Sequence, residues 1–221
     1  SEWSAGAEYT LTINVNAAAL GTTVAVTGWT DTAAATVNPT VESFDIPDLK
    51  PSGASPVDLG LSVKWANMNV GAENVTDYGT YFAWGETIGY TVSGQTATAA
   101  AGNRKTTAHD WTNYWWGNST TTLTKYNTKA ANGTVDNKKT LELANDAART
   151  NWGGNWRMPT KAEFQELLDS TTRTWTDNYN SSGVAGYTFT GNGNTIFLPA
   201  AGYRGSTDVY DQGTDGFYWS S

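Results

Sequence analysis

The chain has no cysteine. A disulfide framework, a thiolate nucleophile and a cysteine-ligated zinc site are therefore all excluded. It has a single histidine, His109, with no partner motif at metal-ligand spacing. Charge is sparse and unbalanced: 13 Lys and Arg against 21 Asp and Glu give a net charge of −8, which repels phosphate backbones and anionic lipid and argues against nucleic acid as a partner. No apolar run reaches the ~18 residues that a membrane-crossing helix needs. There is no secretory leader pattern, no glycine-rich phosphate loop and no Ser-His-Asp order. Carboxylates are plentiful, as in any acidic chain, but nothing singles out a pair for glycoside hydrolysis. The chain reads as a binding module rather than an enzyme, with no cofactor and no metal expected.

What is present is length and aromatic mass. A chain of 221 residues allows one large domain or two smaller ones. With 11 Trp and 11 Tyr, the interior must place many ring N–H and O–H groups against acceptors. The Thr, Asn, Gly and Ala bias has a surface-exposed flavour. Beginning at Ser1 without methionine and ending at Ser221, the chain is expected to be a segment of a longer protein.

Residues 1–45 read as β structure. Tyr9 to Val15 alternates apolar and polar, and Thr23 to Thr27 forms a second, shorter strand. Two or three strands alone are marginal, so this piece is expected to belong to a partial all-β sandwich. Residues 46–56, with three prolines plus Gly and Ser, break both periodicities and read as a linker. Val57 to Ala66 alternates as a strand. Tyr78 to Glu86 carries four aromatics and reads as core material, with Glu86 a buried hydrogen-bond acceptor. Residues 88–135 form a long insertion without clear periodicity, either functional or mobile. Inside it, His109 to Trp116 holds three tryptophans and a tyrosine. The cluster fits a sugar-stacking platform or, more simply, an anchor for the insertion.

Two helices are predicted. The first covers about 141–151, where Leu143, Ala144, Ala147 and Ala148 recur at helical spacing, and Gly153 and Gly154 follow Trp152 as a stop. The second, 160–170, opens on a capping box, Thr160 with Glu163, and carries Phe164, Leu167 and Leu168 on its apolar face. Capping explains Glu163 and solvent exposure explains Glu166. Short strands at 187–190 and 195–198 flank the turn Gly191-Asn192-Gly193-Asn194. The last stretch divides in two. Ile196 to Ala201 and Phe217 to Trp219 read as frame, with a strand starting at Phe217. Between them lies a glycine-punctuated bridge rich in Asp, Tyr, Ser and Thr, good recognition chemistry because rigid rings combine with adaptable hydrogen bonds.

Two resemblances sharpen this. Tyr9 to Val15 with Thr23 to Asp31 resembles the closing strands of fimbrillin-like domains, though any β-sandwich end shares the pattern. VDLGLSVKWANMNVG (57–71), YGTYFAWGE (78–86), WGGNWRMPTKAEFQELL (152–168) and IFLPAAGYR…GFYWSS (196–221) together resemble the C-type-lectin-fold surface domains of Bacteroidetes. These include the Fibrobacter succinogenes major paralogous domain type and, similarly, the variable proteins of diversity-generating retroelements. The resemblance implies an α+β fold: a C-type-lectin-like domain over 57–221, with an insertion at 88–135, continuing in the family beyond YWSS with further strands. It implies a cell-surface or fimbria-associated adhesin, extracellular, as an outer-membrane lipoprotein or a fimbrial component, with other fimbrial subunits as further partners. The diversified surface of the retroelement proteins matches Arg204, Ser206, Thr207, Asp208, Tyr210, Asp211, Thr214 and Asp215. With Phe217 these are the expected contacts to a protein or glycan ligand. A structural stalk or assembly module of a surface filament without a ligand is one alternative, and a glycan-active enzyme is the other. The enzymes of this fold, the formylglycine-generating group, depend on cysteine and are excluded. The calcium-binding motifs of the fold's lectins are missing, which leaves Asp208, Asp211 and Asp215 as the one acidic group worth testing for a hard cation.

Overall fold

The computed structural model describes residues 47–94, 96–103 and 110–221. The strands predicted within 1–45, and His109, lie outside these residues. The described part is a mixed α+β fold with two α-helices and several small antiparallel sheets.

The segment read as a linker is sewn onto the domain. The N–H of Leu49 donates to the carbonyl of Trp152 at 2.6 Å, and Asn67 exchanges hydrogen bonds with Ser55. Ala54 is buried beside Met68, Ala72 and Trp152. The single strand predicted at 57–66 is instead two short ones, β1 (Pro56–Val57) and β2 (Trp65–Ala66), paired antiparallel. The chain turns between them because Gly60 takes a positive φ of 75° and its N–H caps back onto the Asp58 carboxylate at 2.9 Å.

The insertion contributes a hairpin, β3 (Tyr90–Ser93) with β4 (Thr96–Ala99). The first predicted helix is shorter than expected. A 3₁₀ turn at Leu143–Asn145 precedes α1 (Ala147–Trp152). Asp146, 3 % exposed, sets the start of α1. Its carboxylate accepts the N–H of Arg149 at 3.0 Å as the N-cap and the N–H of Met158 at 2.8 Å, tying α1 to the approach of α2.

Helix α2 (Lys161–Ser170) has the capping box in full: Thr160 Oγ1 accepts from the N–H of Glu163, and the Glu163 carboxylate accepts from the N–H of Thr160. Arg157 grips the same carboxylate at 2.5 and 2.8 Å. Glu166 is not simply solvent-facing. It is half-buried and accepts from the N–H and the hydroxyl of Ser62, which ties α2 to the β1–β2 loop. Leu167 is fully buried, packed with Leu59, Phe189 and Ile196.

The main sheet has the order β5 (Thr172–Thr176), β6 (Gly186–Gly191), β7 (Asn194–Pro199). β5 is not apparent in the sequence pattern. β6 and β7 pair over six positions around Asn192-Gly193. Both turn residues have positive φ, 49° and 73°, the two-residue type I′ turn that matches strand twist. On the far side Phe197 stacks on Tyr179, centroids 4.1 Å apart.

Candidate functional site

The bridge leaves the end of β7 and is fixed at both ends. The N–H of Gly202 donates to the carbonyl of Asp215 at 2.7 Å, and the N–H of Gly213 to that of Ala200 at 2.8 Å. Gly202 and Gly216 form a parallel bridge. Gly202 is required here: φ is 66°, and a Cβ would sit 1.9 Å from the carbonyl oxygen of Tyr210. Below, the Tyr81 hydroxyl donates to the Ala201 carbonyl at 2.5 Å and receives the Gln212 side-chain amide at 3.0 Å.

Between these clamps run β8 (Tyr203–Gly205) and β9 (Asp208–Tyr210), joined by Ser206 and Thr207, with Ser206 at φ 51°. The alternation of strands decides which side chains face out. Val209 points in and is 3 % exposed, whereas Asp208 and Tyr210 point out. Across the pair Tyr203 lies opposite Tyr210, so both rings stand on the same outer face.

β9 also pairs with β4 at Thr96↔Asp208, giving a four-stranded sheet β3-β4-β9-β8. The insertion and the bridge are thus one unit. A side chain reinforces it. Arg204, expected to face a ligand, is half-buried with its guanidinium 3.6 Å from the ring centroid of Tyr90 on β3. Burial lowers the Arg204 pKa from its ordinary value and raises that of the Tyr90 hydroxyl.

The remaining predicted residues are all exposed. Thr207 donates its hydroxyl to Asp208 at 3.1 Å. The carbonyl of Asp211, a residue at φ 59°, accepts the N–H groups of Thr214 and Asp215 and the Thr214 hydroxyl, closing the turn 211–215. Asp208, Asp211 and Asp215 do not converge: no group of three metal-ligating side chains exists among the described residues.

The feature that the sequence pattern did not reveal is an aromatic ledge. Tyr203 stacks on Tyr210 with centroids 5.5 Å apart and planes at 27°, and meets Phe217 edge-on at 5.1 Å. These three rings are 41 %, 46 % and 61 % exposed. Tyr203 was absent from the predicted contacts, although its equal distance from the Ser206-Thr207 turn, mirrored by Tyr210, was a signal. Phe217 begins no strand. The terminal stretch is held instead by side chains, Tyr218 O–H to the Pro199 carbonyl at 2.7 Å and Trp219 Nε1–H to that of Phe82 at 2.9 Å. Burial drives the Tyr218 hydroxyl pKa well above its usual range.

Tyr203 and Phe217 also line a groove of about 880 Å³ that continues past Phe82, Trp84, Tyr187 and Leu198, within the range of ligand-binding clefts. The aromatic cluster at 110–116 is placed as an anchor. Tyr114 O–H donates to the Trp84 carbonyl, Trp116 Nε1–H to that of Gly85, and the N–H of Trp115 to the buried Glu86 carboxylate at 3.0 Å. Only Trp111 stands out, half exposed against Tyr114.

Comparison with family models, with curated proteins and with solved structures finds no match to this chain. No helix among the described residues is long and apolar enough to cross a membrane.

Proposed function

We propose that residues 57–221 form a C-type-lectin-like domain of a cell-surface or fimbria-associated adhesin, and that it binds a protein or glycan ligand through the 204–215 bridge and the adjoining Phe217. The observation that carries this is the exposed ledge of Tyr203, Tyr210 and Phe217 on a loop clamped at both ends by scaffold backbone. Large exposed rings cost solvation unless a partner covers them. On a pre-ordered loop they bind without a large ordering penalty, and Tyr is among the residues that dominate interface energetics. The two helices and small antiparallel sheets are compatible with the lectin-like fold, and the sequence blocks at 57–71, 78–86, 152–168 and 196–221 support it.

The test is a double substitution, Tyr210→Ala with Asp208→Ala, assayed for adhesion to host cells and on a glycan array. Binding should disappear while the melting temperature moves by no more than ~4 °C, as for exposed positions. Retained binding would move the site away from the bridge, with the exposed Trp111 the next place to examine.

A further inference from the structure

We infer that the partner of the bridge is a basic stretch of polypeptide, carrying lysine or arginine side chains, rather than a sugar. This rests on the reading of the bridge as a binding surface and adds to it the chemistry of what is bound.

The argument is a census of donors and acceptors. The cationic and amide donors of the bridge are turned inward, and two of its hydroxyls are spent locally. The Arg204 guanidinium lies on the Tyr90 ring, Gln212 donates to the Tyr81 hydroxyl, Thr214 to the Asp211 carbonyl and Thr207 to Asp208. What faces solvent carries no cationic or amide donor: it is the carboxylates of Asp208, Asp211 and Asp215 with the neutral side chains of Tyr203, Ser206 and Tyr210, all exposed. None of the three forms an ion pair with a cation among the described residues. Ionised carboxylates only accept hydrogen bonds, whereas ammonium and guanidinium groups only donate. A sugar hydroxyl does both, and a surface built for it would set amide or cationic donors beside its acceptors, where this one offers only the neutral hydroxyls of Tyr203, Ser206 and Tyr210. Carboxylates also repel sialylated and sulfated glycans.

The aromatic ledge points the same way. The faces of Tyr and Phe rings are electron-rich and attract a cation within about 6 Å, while the alkyl stem of Lys or Arg packs on the ring. Tyr210 shares the outer face of β9 with Asp208, and Phe217 lines the same groove as Asp215. Aromatic ring and carboxylate thus share a surface twice over, the combination that takes a long cationic side chain by stem and head together.

The test uses the full 221-residue chain and three probes: a hexalysine peptide, the same peptide with its ammonium groups acetylated, and a neutral glucose hexasaccharide. Binding is read from the ring resonances of Tyr203, Tyr210 and Phe217. Hexalysine should shift them, and its affinity should fall about tenfold as salt is raised from low to several hundred millimolar, because exposed charge pairs are screened. The acetylated peptide should bind at least about tenfold more weakly, as expected when the cation supplies the contact. Asp208→Asn, Asp211→Asn and Asp215→Asn together should cost about tenfold or more. A remote set with the same charge change, Asp58→Asn, Glu73→Gln and Asp169→Asn, should cost less than about twofold. Equal binding of the acetylated peptide, or equal losses from the two triple variants, overturns the inference. If the hexasaccharide shifts the rings and hexalysine does not, the ligand is a glycan: the inference falls and the binding role of the bridge stands. If no probe shifts them, both fall.

Discussion

The β6–β7 hairpin and the β8–β9 hairpin follow one another in the chain and are built on opposite plans. The first pairs over six positions, turns on Asn192-Gly193 and buries Phe189, Ile196 and Phe197. The second pairs over three, turns on Ser206-Thr207 and buries one apolar side chain, Val209, while its rings face solvent. In the first, side-chain burial holds the backbone. In the second, backbone clamps and contacts to the Tyr90 hairpin hold the loop so that its side chains are left uncovered. A binding surface needs the second plan, because side chains already committed to a core have nothing left to offer a partner.

The comparison predicts that core and bridge fail differently. Truncations in the core should have the largest effects on stability, Leu167→Ala among them. The side chain is fully buried between α2 and the sheet, and such truncations cost about 2–5 kcal/mol through lost transfer energy and the cavity left behind. The loss should appear as a lower midpoint in chemical denaturation, with the ledge unchanged below the transition.

Gly202→Ala should come next and should act on the bridge first. The new Cβ meets the Tyr210 carbonyl oxygen at 1.9 Å in a left-handed backbone, so the clamp to Asp215 must open, at a cost of about 2–3 kcal/mol. Hydrogen exchange should speed up at 202–216 while the β6–β7 amides stay protected. Equal loss of protection in both hairpins would show that the bridge is not a separate layer on the scaffold.

The capping box of α2 gives a smaller effect with a pH signature. The Arg157 guanidinium, with the Thr160 N–H assisting against burial, holds the Glu163 carboxyl down at about 2. A depressed carboxyl contributes stability that is fully present above its unfolded value of 4.5 and is lost as pH falls through the folded value. Denaturation midpoints of the wild-type chain should therefore drop between pH 4.5 and 2, and Glu163→Gln should flatten that drop. At neutral pH the variant should be less stable by about 1 kcal/mol.

How much of this was legible beforehand follows the range of the forces involved. The β6–β7 turn and the α2 cap are set by residues within four positions of each other, and both stand in the sequence as plain signals. The β3–β4 hairpin does not. Its Thr-Ala alternation has little hydrophobic contrast, and what seats it is Arg204 on Tyr90 and the pairing to Asp208, contacts between distant parts of the chain. For the same reason the bridge residues were found as a group, while the inward turn of Arg204 and the membership of Tyr203 were not. Glu166 escaped because its partner, Ser62, lies in a loop on another element.

The smallest predicted stability change is the one that most sharpens the contrast between the hairpins. Tyr210→Ala removes a ring that is nearly half exposed and touches Tyr203 on one side only. Its hydroxyl supports no hydrogen bond that holds the frame. What is lost is part of one aromatic pair, about 0.5–1 kcal/mol at most. Its mirror in the other hairpin, Phe189→Ala, removes a ring from the centre of the core, and should cost about 3–5 kcal/mol. Measured side by side by denaturation, the two truncations should differ several-fold in stability and in the reverse sense in ligand binding. If Tyr210→Ala destabilises the chain as much as Phe189→Ala does, the ledge is part of the core and its exposure is not there to meet a partner.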